Sequence, residues 1–378
     1  MDEFIINLSV LNIKPTGISN YANNVYPYLK NLNPTLLISQ NIENFNCYQV
    51  PNNLTPSQGA KGHLDRLLWT QYKLPKIYKQ LKSKLLFSPI PEAPLNTKCR
   101  YIVTVHDVIP LRFPRPFSPL TPYHRYYIPQ VLKKALHIIC NSRATAGDIV
   151  DFYKIPAHKI TPIPLAYDNQ HFRPLVNGGD KNKYSNTALA SSKEKPKAYP
   201  NCPYFLYIGR HDPHKNLERV ITAFASLPGS KNYELWLAGP TDPRYTPILQ
   251  TQAQELGVIN QLKFLDYVPY DDLPKIIGNA LAMIFPSLWE GFGIPVLESM
   301  GCGTPVITSK ISSLPEVAGD AGILVNPYST NEIAQAMLAI ITDSDFRNRL
   351  SQSGLLRANL FSWQKTGQRT AEVLKQFL

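Results

Sequence analysis

One stretch near residue 290 constrains the fold more than any other part of this sequence. The apolar run from Leu281 to Phe285 predicts a buried strand of a parallel sheet, and a Pro-Ser pair ends it. Gly291 and Gly293 follow, and residues 294–300 have a helix pattern with proline in the first turn. A strand, a glycine turn and a helix N-terminus form an anion site, because bare backbone amides point at the ligand. The stretch therefore predicts an α/β unit that binds an anionic group.

Two carboxylates lie inside this unit. Glu290 is in the predicted turn, and Glu298 comes eight positions later in the predicted helix. Both can face one crevice at the carboxyl end of the strand. Carboxylates are poor phosphate ligands but good acceptors for sugar hydroxyls, so the pair beside an anion site indicates a sugar attached to a phosphate. Taken alone, two such glutamates can equally be solvated residues of a doubly wound fold.

The surrounding residues carry a family resemblance. Glu290 and Glu298, with seven residues between them that include Gly-Phe-Gly, resemble the signature of the retaining, GT-B-fold glycosyltransferases of family four, the group 1 glycosyltransferases. The run L-P-E-V-A-G-D-A-G-I-L-V-N-P at 314–327 is similar to the family's next loop and strand. In that family the first glutamate and the turn amides hold the donor sugar, and the second glutamate holds the nucleotide ribose. The resemblance assigns these roles to Glu290, to Gly291, Phe292, Gly293 and Ile294, and to Glu298.

Two further segments place candidate residues at strand ends. Y-F-L-Y-I-G-R-H-D-P-H-K resembles the first βα unit of the family's donor domain, so Arg210 and Lys215 are expected to hold the diphosphate; a surface pair is the alternative. H-D-V-I-P-L-R-F-P follows the predicted strand 101–105 and is similar to a segment whose histidine faces the donor sugar and the acceptor. This assigns His106, although a lone histidine at a strand end is often only a satisfied polar group.

Two assignments rest on loops. P-T-G-I-S-N-Y resembles the family's first loop, whose glycine lies near the donor phosphates, and assigns Gly17. An ordinary strand-to-helix turn stays open for Gly17, because the fuller glycine cluster is absent. After the predicted strand 262–266, the family's backbone meets the nucleotide base, which here involves Tyr267 or Val268.

The chain length favours two domains, because 378 residues are too many for one typical domain. The expected fold is α/β with GT-B architecture, two Rossmann-like domains facing a central cleft. Residues 1–175 are predicted to form the acceptor-side domain and residues 203–363 the donor domain. Residues 176–202 are rich in Gly, Ser, Asn and Lys and predict a flexible linker or insertion. By resemblance, a helix at about 364–378 packs back on the first domain.

The positive charge is concentrated in the first half. Of the net +12, residues 1–175 carry +11, from 20 Lys and Arg against 9 Asp and Glu. No nucleic-acid-binding motif accompanies it, so an anionic substrate or anionic lipid is the expected partner. Residues 64–86 are basic and amphipathic, with lysines at 73, 76, 79 and 82 beside an apolar side that includes Leu85 and Leu86. This predicts either a membrane-surface helix or a helix with a solvated lysine face that packs on its own sheet.

Compartment and metal content are predicted from what the sequence lacks. No stretch approaches eighteen apolar residues, and the acidic start M-D-E-F-I-I has no basic n-region, so neither a spanning helix nor a signal peptide is expected. The five cysteines are scattered without C-x-x-C spacing, which indicates a reducing cytoplasm. The basic first half without a spanning segment suits peripheral contact at the inner face of the cytoplasmic membrane. No D-x-D motif stands where it could hold a divalent ion under the diphosphate, so neither a metal nor another cofactor is expected.

The predicted function is transfer of a hexose from a nucleotide diphosphate sugar to a glycan or lipid-linked glycan, with retention at the anomeric carbon. UDP-glucose is slightly favoured as the donor and GDP-mannose comes next. A catalytically silent glycan-binding or scaffold subunit of the same fold is the alternative. An oxidoreductase needs a G-x-G-x-x-G after the first strand, and only Gly17 is present there.

Overall fold

The computed structural model describes residues 3–11, 17–55, 59–115, 118–175 and 202–378. Contacts divide the chain into two compact units: unit 1 is Met1–Ala166 with Phe361–Leu378, and unit 2 is Tyr167–Leu360. Each unit is built on one parallel sheet. The predicted linker, apart from Cys202, lies outside the described residues.

Unit 1 contains a seven-stranded parallel sheet in the order β3-β2-β1-β4-β5-β6-β7. Its central strands are apolar on both faces because helices cover both sides, as is typical of parallel sheets. The strands are β1 (Glu3–Asn7), β2 (Pro34–Ile38), β3 (Asn46–Gln49), β4 (Ser83–Ser88), β5 (Tyr101–Val105), β6 (His137–Cys140) and β7 (Ile160–Pro162).

The helices of unit 1 follow the strands, as crossover connections require. They are α1 (Gly17–Val25), α2 (Gly59–Tyr72), α3 (Leu74–Gln80), α4 (Ile109–Arg112), α5 (Leu120–Pro122), α6 (Ile128–Lys134), α7 (Arg143–Tyr153) and, from the end of the chain, α15 (Trp363–Lys375). A π-helical turn, Tyr123–Tyr127, precedes α6. Helix α15 packs on α1 within this unit.

Unit 2 contains a six-stranded parallel sheet in the order β10-β9-β8-β11-β12-β13. Chain order reverses direction between β8 and β11, which is the arrangement of a doubly wound fold. The strands are β8 (Tyr204–Ile208), β9 (Glu234–Ala238), β10 (Leu262–Leu265), β11 (Ala282–Phe285), β12 (Val306–Ser309) and β13 (Ile323–Val325).

The helices of unit 2 enclose this sheet. They are α8 (Leu217–Ala225), α9 (Thr246–Glu255), α10 (Leu273–Gly278), α11 (Ile294–Gly301), α12 (Leu314–Ala318), α13 (Thr330–Thr342) and α14 (Ser344–Ala358). The stretch around residue 290 forms the predicted strand, turn and helix as β11, a loop and α11. The two Rossmann-like sheets confirm the α/β prediction.

Three details differ from the expectations. Strand β3 arises in a segment without a strand pattern, because it is an edge strand and its residues are half-buried at most. Leu85 and Leu86 belong to the buried strand β4 and do not continue the basic helix, which ends at Gln80. The apolar residues of α3, Leu74 and Ile77, are buried in the core of unit 1, so this side of the helix packs on its own sheet.

The boundary between the units also lies earlier than predicted. Residues 167–175, expected in the first domain, belong to unit 2. The reason is close packing on Gly301: a Cβ added there would meet Tyr167 Cε2 at 2.3 Å and the Phe172 carbonyl oxygen at 2.9 Å. Only glycine at this position lets the segment lie against the end of α11.

No helix in the described ranges is both long and apolar enough to cross a membrane. All five cysteines are free thiols. Among the residues that the structure describes, no group of three or more His, Cys, Asp or Glu side chains is arranged to hold a metal ion.

Two glycines let the ends of β8 and β9 approach each other. Gly209 and Gly239 have φ values of +152° and +143°, which disfavour any residue with a Cβ. A Cβ on Gly239 would meet the Gly209 carbonyl oxygen at 2.1 Å. Because the obstacle is backbone, it cannot move away as a side chain can.

We expect Gly239→Ala to lower the free energy of unfolding by at least about 2 kcal/mol, from left-handed strain and overpacking. Gly147→Ala is the matched control, because Gly147 is exposed within α7 and nothing described lies within 4 Å of an added Cβ. The control should be neutral or slightly stabilising. Urea unfolding of both variants measures the difference, and equal stabilities would contradict the packing argument.

Candidate active site

The carboxyl ends of β8 and β11 meet at the switch point of the unit 2 sheet. In open α/β sheets this is where a crevice forms, because the crossovers of the two neighbouring strands run in opposite directions. The loop after β8 contains Arg210 and Lys215, and the loop after β11 contains Glu290. A backbone hydrogen bond of 2.7 Å, from the Leu288 N–H to the His214 carbonyl, ties the two loops together.

Lys215 and Glu290 form an ion pair across this point. Lys215 Nζ donates to Glu290 Oε1 at 2.7 Å, and both side chains are largely buried. The ammonium also lies 5.6 Å from the centre of the Phe285 ring. A buried ion pair of this kind holds both groups in one geometry and leaves further N–H and oxygen positions for a ligand.

Arg210 extends from the end of β8 with its side chain 63% exposed, and its Nε lies 3.4 Å from Asp212 Oδ2. The backbone beneath it is fixed, because the hydroxyl of the buried Tyr207 donates to the Arg210 carbonyl at 2.7 Å. The guanidinium is thus an exposed cation on a backbone that is held by Tyr207, at the edge of the switch point.

The glycine turn is held by serines that the sequence pattern did not single out. The hydroxyl of Ser313, fully buried, shares its single O–H between the carbonyls of Phe292 at 2.7 Å and Glu290 at 3.0 Å. The Glu290 N–H donates to Ser312 Oγ at 3.3 Å. Gly293, with φ of +112°, caps the N-terminus of α11. These bonds fix the backbone of the turn directly before α11.

Glu298 lies on α11, one turn after its first residue, and is half-buried. Burial, and secondly the negative charge of Asp168, raise the pKa of Glu298 to about 7. Asp168 is placed by the 167–175 segment, where its Oδ1 accepts from the backbone N–H of His171 at 3.1 Å. The Tyr270 hydroxyl donates to Asp168 Oδ2 at 3.3 Å, and the Tyr270 ring stacks on His171 at 3.9 Å.

The loop after β10 carries the residues predicted to meet a nucleotide base. Tyr267 is 78% exposed and Val268 is half-buried. This loop ends at the short turn that contains Tyr270. It therefore lies on the same side of the unit 2 sheet as Asp168 and Glu298.

In unit 1, His106 follows β5 and lies near the start of α1. Its Nε2 donates to the Pro89 carbonyl at 2.8 Å, and its ring contacts Tyr21 edge-on at 4.9 Å. Burial lowers the pKa of His106 to about 4, so the ring is neutral at physiological pH. With the proton on Nε2, Nδ1 is a hydrogen-bond acceptor.

Gly17 is the first residue of α1 and is exposed. No atom of the described chain lies within 4 Å of the place where a Cβ would stand. The packing of unit 1 therefore does not itself require glycine. Residues 12–16, which carry part of the motif around Gly17, lie outside the described residues.

The structure thus groups the predicted residues by unit. Unit 2 brings together Arg210, Lys215, Glu290 and the turn that follows it. It carries Glu298 and Val268 beside a cluster of Asp168, Tyr270 and His171, which sequence analysis missed. The signal for that cluster was weak, because Asp168 and Tyr270 are about 100 residues apart in an ordinary Tyr-Asp and Pro-Tyr-Asp context. Unit 1 carries His106 and Gly17.

Two family sequence models match the chain. The one described as glycosyl transferases group 1 matches residues 190–357, and the one described as Glycosyltransferase Family 4 matches residues 17–171. The O-antigen chain mannosyltransferase B of Escherichia coli is 29% identical over 287 residues, which are 73% of this chain and 70% of that protein. The serotype-specific mannosyltransferase WbdA of the same organism is 28% identical over 295 residues, 77% of this chain but only 34% of that longer protein.

Solved structures match over the whole chain. Sucrose-phosphate synthase from Thermosynechococcus elongatus superposes with a TM-score of 0.76 at 18% identity, covering 100% of this chain and 99% of that one. HepE from Anabaena, in complex with UDP and glucose, has a TM-score of 0.72 at 17% identity with complete coverage of both chains. These identities show a shared fold and no more. With the two family matches, which cover both units, they establish that the chain belongs to the group 1 glycosyltransferases of GT-B fold.

Proposed function

We propose that this protein transfers a hexose from a nucleotide diphosphate sugar to a hydroxyl of a glycan or lipid-linked glycan, in glycan biosynthesis. One observation carries the proposal: the loops after β8 and β11 bring Arg210 and the Lys215–Glu290 pair to the switch point where the glycine turn and α11 begin. Two cations suit a diphosphate, and a carboxylate beside them suits sugar hydroxyls.

The chemistry follows from where charge develops. The bond between the anomeric carbon and the phosphate oxygen breaks, and the leaving diphosphate gains negative charge that Arg210 and Lys215 stabilise. The acceptor oxygen bonds to the anomeric carbon, and its proton passes to the leaving phosphate oxygen. Attack on the same face gives retention without a protein nucleophile. Glu290 orients the sugar, the role that the family resemblance assigns to His106 stays a prediction, and no metal takes part.

Mannose is the hexose that the relatives favour. O-antigen chain mannosyltransferase B and WbdA are both mannosyltransferases, so we place GDP-mannose ahead of the UDP-glucose that sequence analysis slightly favoured. UDP stays a candidate because HepE binds UDP and glucose on a similar fold. The protein can be incubated with radiolabelled GDP-mannose or UDP-glucose and a mixture of bacterial lipid-linked glycans. Transfer of label to the glycans then tests the identity of the donor and the activity together. Nucleotide binding without transfer to any acceptor would favour the silent-subunit alternative.

Arg210→Ala should weaken binding of the matching nucleoside diphosphate by roughly 10- to 100-fold, because charge-assisted hydrogen bonds are lost. Thermal shift with UDP, GDP and ADP, with and without magnesium, measures this. Arg349→Ala is the control, since Arg349 is also an exposed arginine and lies on α14, away from the loops after β8 and β11. A wild type that needs magnesium, or an Arg210→Ala variant that binds normally, would contradict the assigned role.

Lys215→Ala and Glu290→Gln should each lower the free energy of unfolding by about 1–3 kcal/mol, because each leaves a buried partner uncompensated. The double variant should lose less than the sum of the two. The exposed pair Lys310 and Glu332, 3.6 Å apart, is the control and should show a coupling below about 1 kcal/mol. Denaturant unfolding of both double-mutant cycles gives the coupling energies, and strict additivity for Lys215 and Glu290 would refute the pairing.

Nucleotide affinity should fall as pH drops through about 7, because ionised Glu298 accepts ribose hydroxyls and protonated Glu298 does so less well. Asp168→Asn should move this midpoint to lower pH, since it removes a negative neighbour whose charge raises the pKa of Glu298. Calorimetry between pH 5.5 and 8.5 measures the profile. Glu298→Gln is the control, because it retains only the titration of the nucleotide itself. A wild-type profile identical to that of Glu298→Gln would exclude this role.

A further inference from the structure

Helix α2 presents an apolar stripe to solvent. Leu64, Leu68 and Tyr72 are 57%, 48% and 68% exposed, and they are spaced four residues apart, so they lie along one face of the helix. This stripe is not the apolar side that the sequence pattern indicated. That side, with Leu74 and Ile77, is buried in the core of unit 1.

The orientation of α2 is fixed by a buried charge on its inner face. Arg66 makes two hydrogen bonds of 2.8 Å to the carboxylate of Glu92, and both residues are almost completely buried. The hydroxyl of Tyr123 donates to the same carboxylate at 2.9 Å. Turning the helix to bury its leucines would break this ion pair, which is strongly unfavourable. The leucines are therefore held outward by the fold.

Lysines continue the exposed face at both ends of the stripe. Lys61 lies one turn before Leu64, and Lys73, Lys76 and Lys79 follow Tyr72; all four are exposed. Helical hydrogen bonding runs across the junction of α2 and α3, since the Lys73 N–H donates to the Trp69 carbonyl and the Ile77 N–H to the Lys73 carbonyl. Across 59–80 the only acidic residue is Asp65. The face is thus an apolar centre between cationic ends.

We propose that this face, Lys61 to Lys79 on α2 and α3, docks on an anionic lipid bilayer. Leucine and tyrosine side chains on a helix insert at the boundary between headgroups and acyl chains, and lysines at its ends reach the headgroup phosphates. The positive charge favours this occupant. Unit 1 has 22 Lys and Arg against 9 Asp and Glu, a net +13, whereas unit 2 has 17 against 18, a net −1. An anionic bilayer complements both this charge and the apolar stripe. The docking needs neither the donor nor catalysis, so it stands apart from the proposed chemistry.

Sedimentation of the full chain with vesicles tests the proposal. Wild type should bind vesicles of one part phosphatidylglycerol to two parts phosphatidylcholine and bind pure phosphatidylcholine far more weakly. Changing Lys73, Lys76 and Lys79 to Gln should weaken binding roughly 100-fold, at about fivefold for each lysine near the surface. Changing Leu64, Leu68 and Tyr72 to Ser should weaken it at least about tenfold and leave binding weak even at low salt.

The matched control is the pair Leu356→Ser and Leu360→Ser, because these leucines of unit 2 are also exposed and four residues apart. It should bind vesicles as wild type does, and GDP or UDP thermal shifts on all variants show that each is folded. Loss of vesicle binding in the control, or binding that survives the serine changes, would overturn the proposal. The proposal would also be overturned if the wild type does not bind vesicles. If that protein instead forms a dimer that the serine changes dissociate, the stripe binds a second copy of the chain.

Discussion

The ion pair of Lys215 and Glu290 is the contact on which the candidate site depends. It joins the loops after β8 and β11, two strands that are adjacent in the sheet although about 75 residues separate the partners. Because both charges are largely buried, neither loop can move away without exposing an uncompensated partner. The turn of Gly291 to Gly293 follows directly from Glu290 and inherits this rigidity. Catalysis by preorganised charge needs this arrangement, since groups already in place cost no reorganisation during the reaction.

The Lys215–Glu290 pair lies near both a rigid turn and an exposed arginine. The turn is held by Ser313, which binds two of its carbonyls from a neighbouring loop, whereas Arg210 keeps an exposed side chain above a backbone secured by Tyr207. The pKa of Glu298 is raised first by burial and secondly by the negative charge of Asp168. The candidate site of unit 2 thus combines a rigid turn, an exposed cation and a carboxylate whose pKa is raised to about 7.

A buried ion pair in unit 1 determines which side of α2 faces solvent. Arg66 and Glu92 fix which side of the helix points inward, and in doing so they leave Leu64, Leu68 and Tyr72 outside. Helices that pack on a sheet normally place charges outward and leucines inward, because apolar burial stabilises the fold. On α2 a charged residue, Arg66, points inward and two leucines point outward, so these leucines add nothing to the core. The proposed docking on a lipid bilayer would give these side chains an apolar contact outside the chain.

The sequence alone determined the α/β class, the strand, turn and helix around residue 290, and candidate residues at strand ends, because these depend on local periodicity and glycine placement. It also carried the family resemblance. Only the tertiary structure decided that Lys215 pairs with Glu290, that Asp168 and Tyr270 approach Glu298, and that residues 167–175 belong to unit 2. The outward face of α2 was also decided there, since helical periodicity alone indicated Leu74 and Ile77. The physical reason is the same in each case: contacts between residues far apart in the chain depend on strand order and buried partners, and local pattern does not encode them.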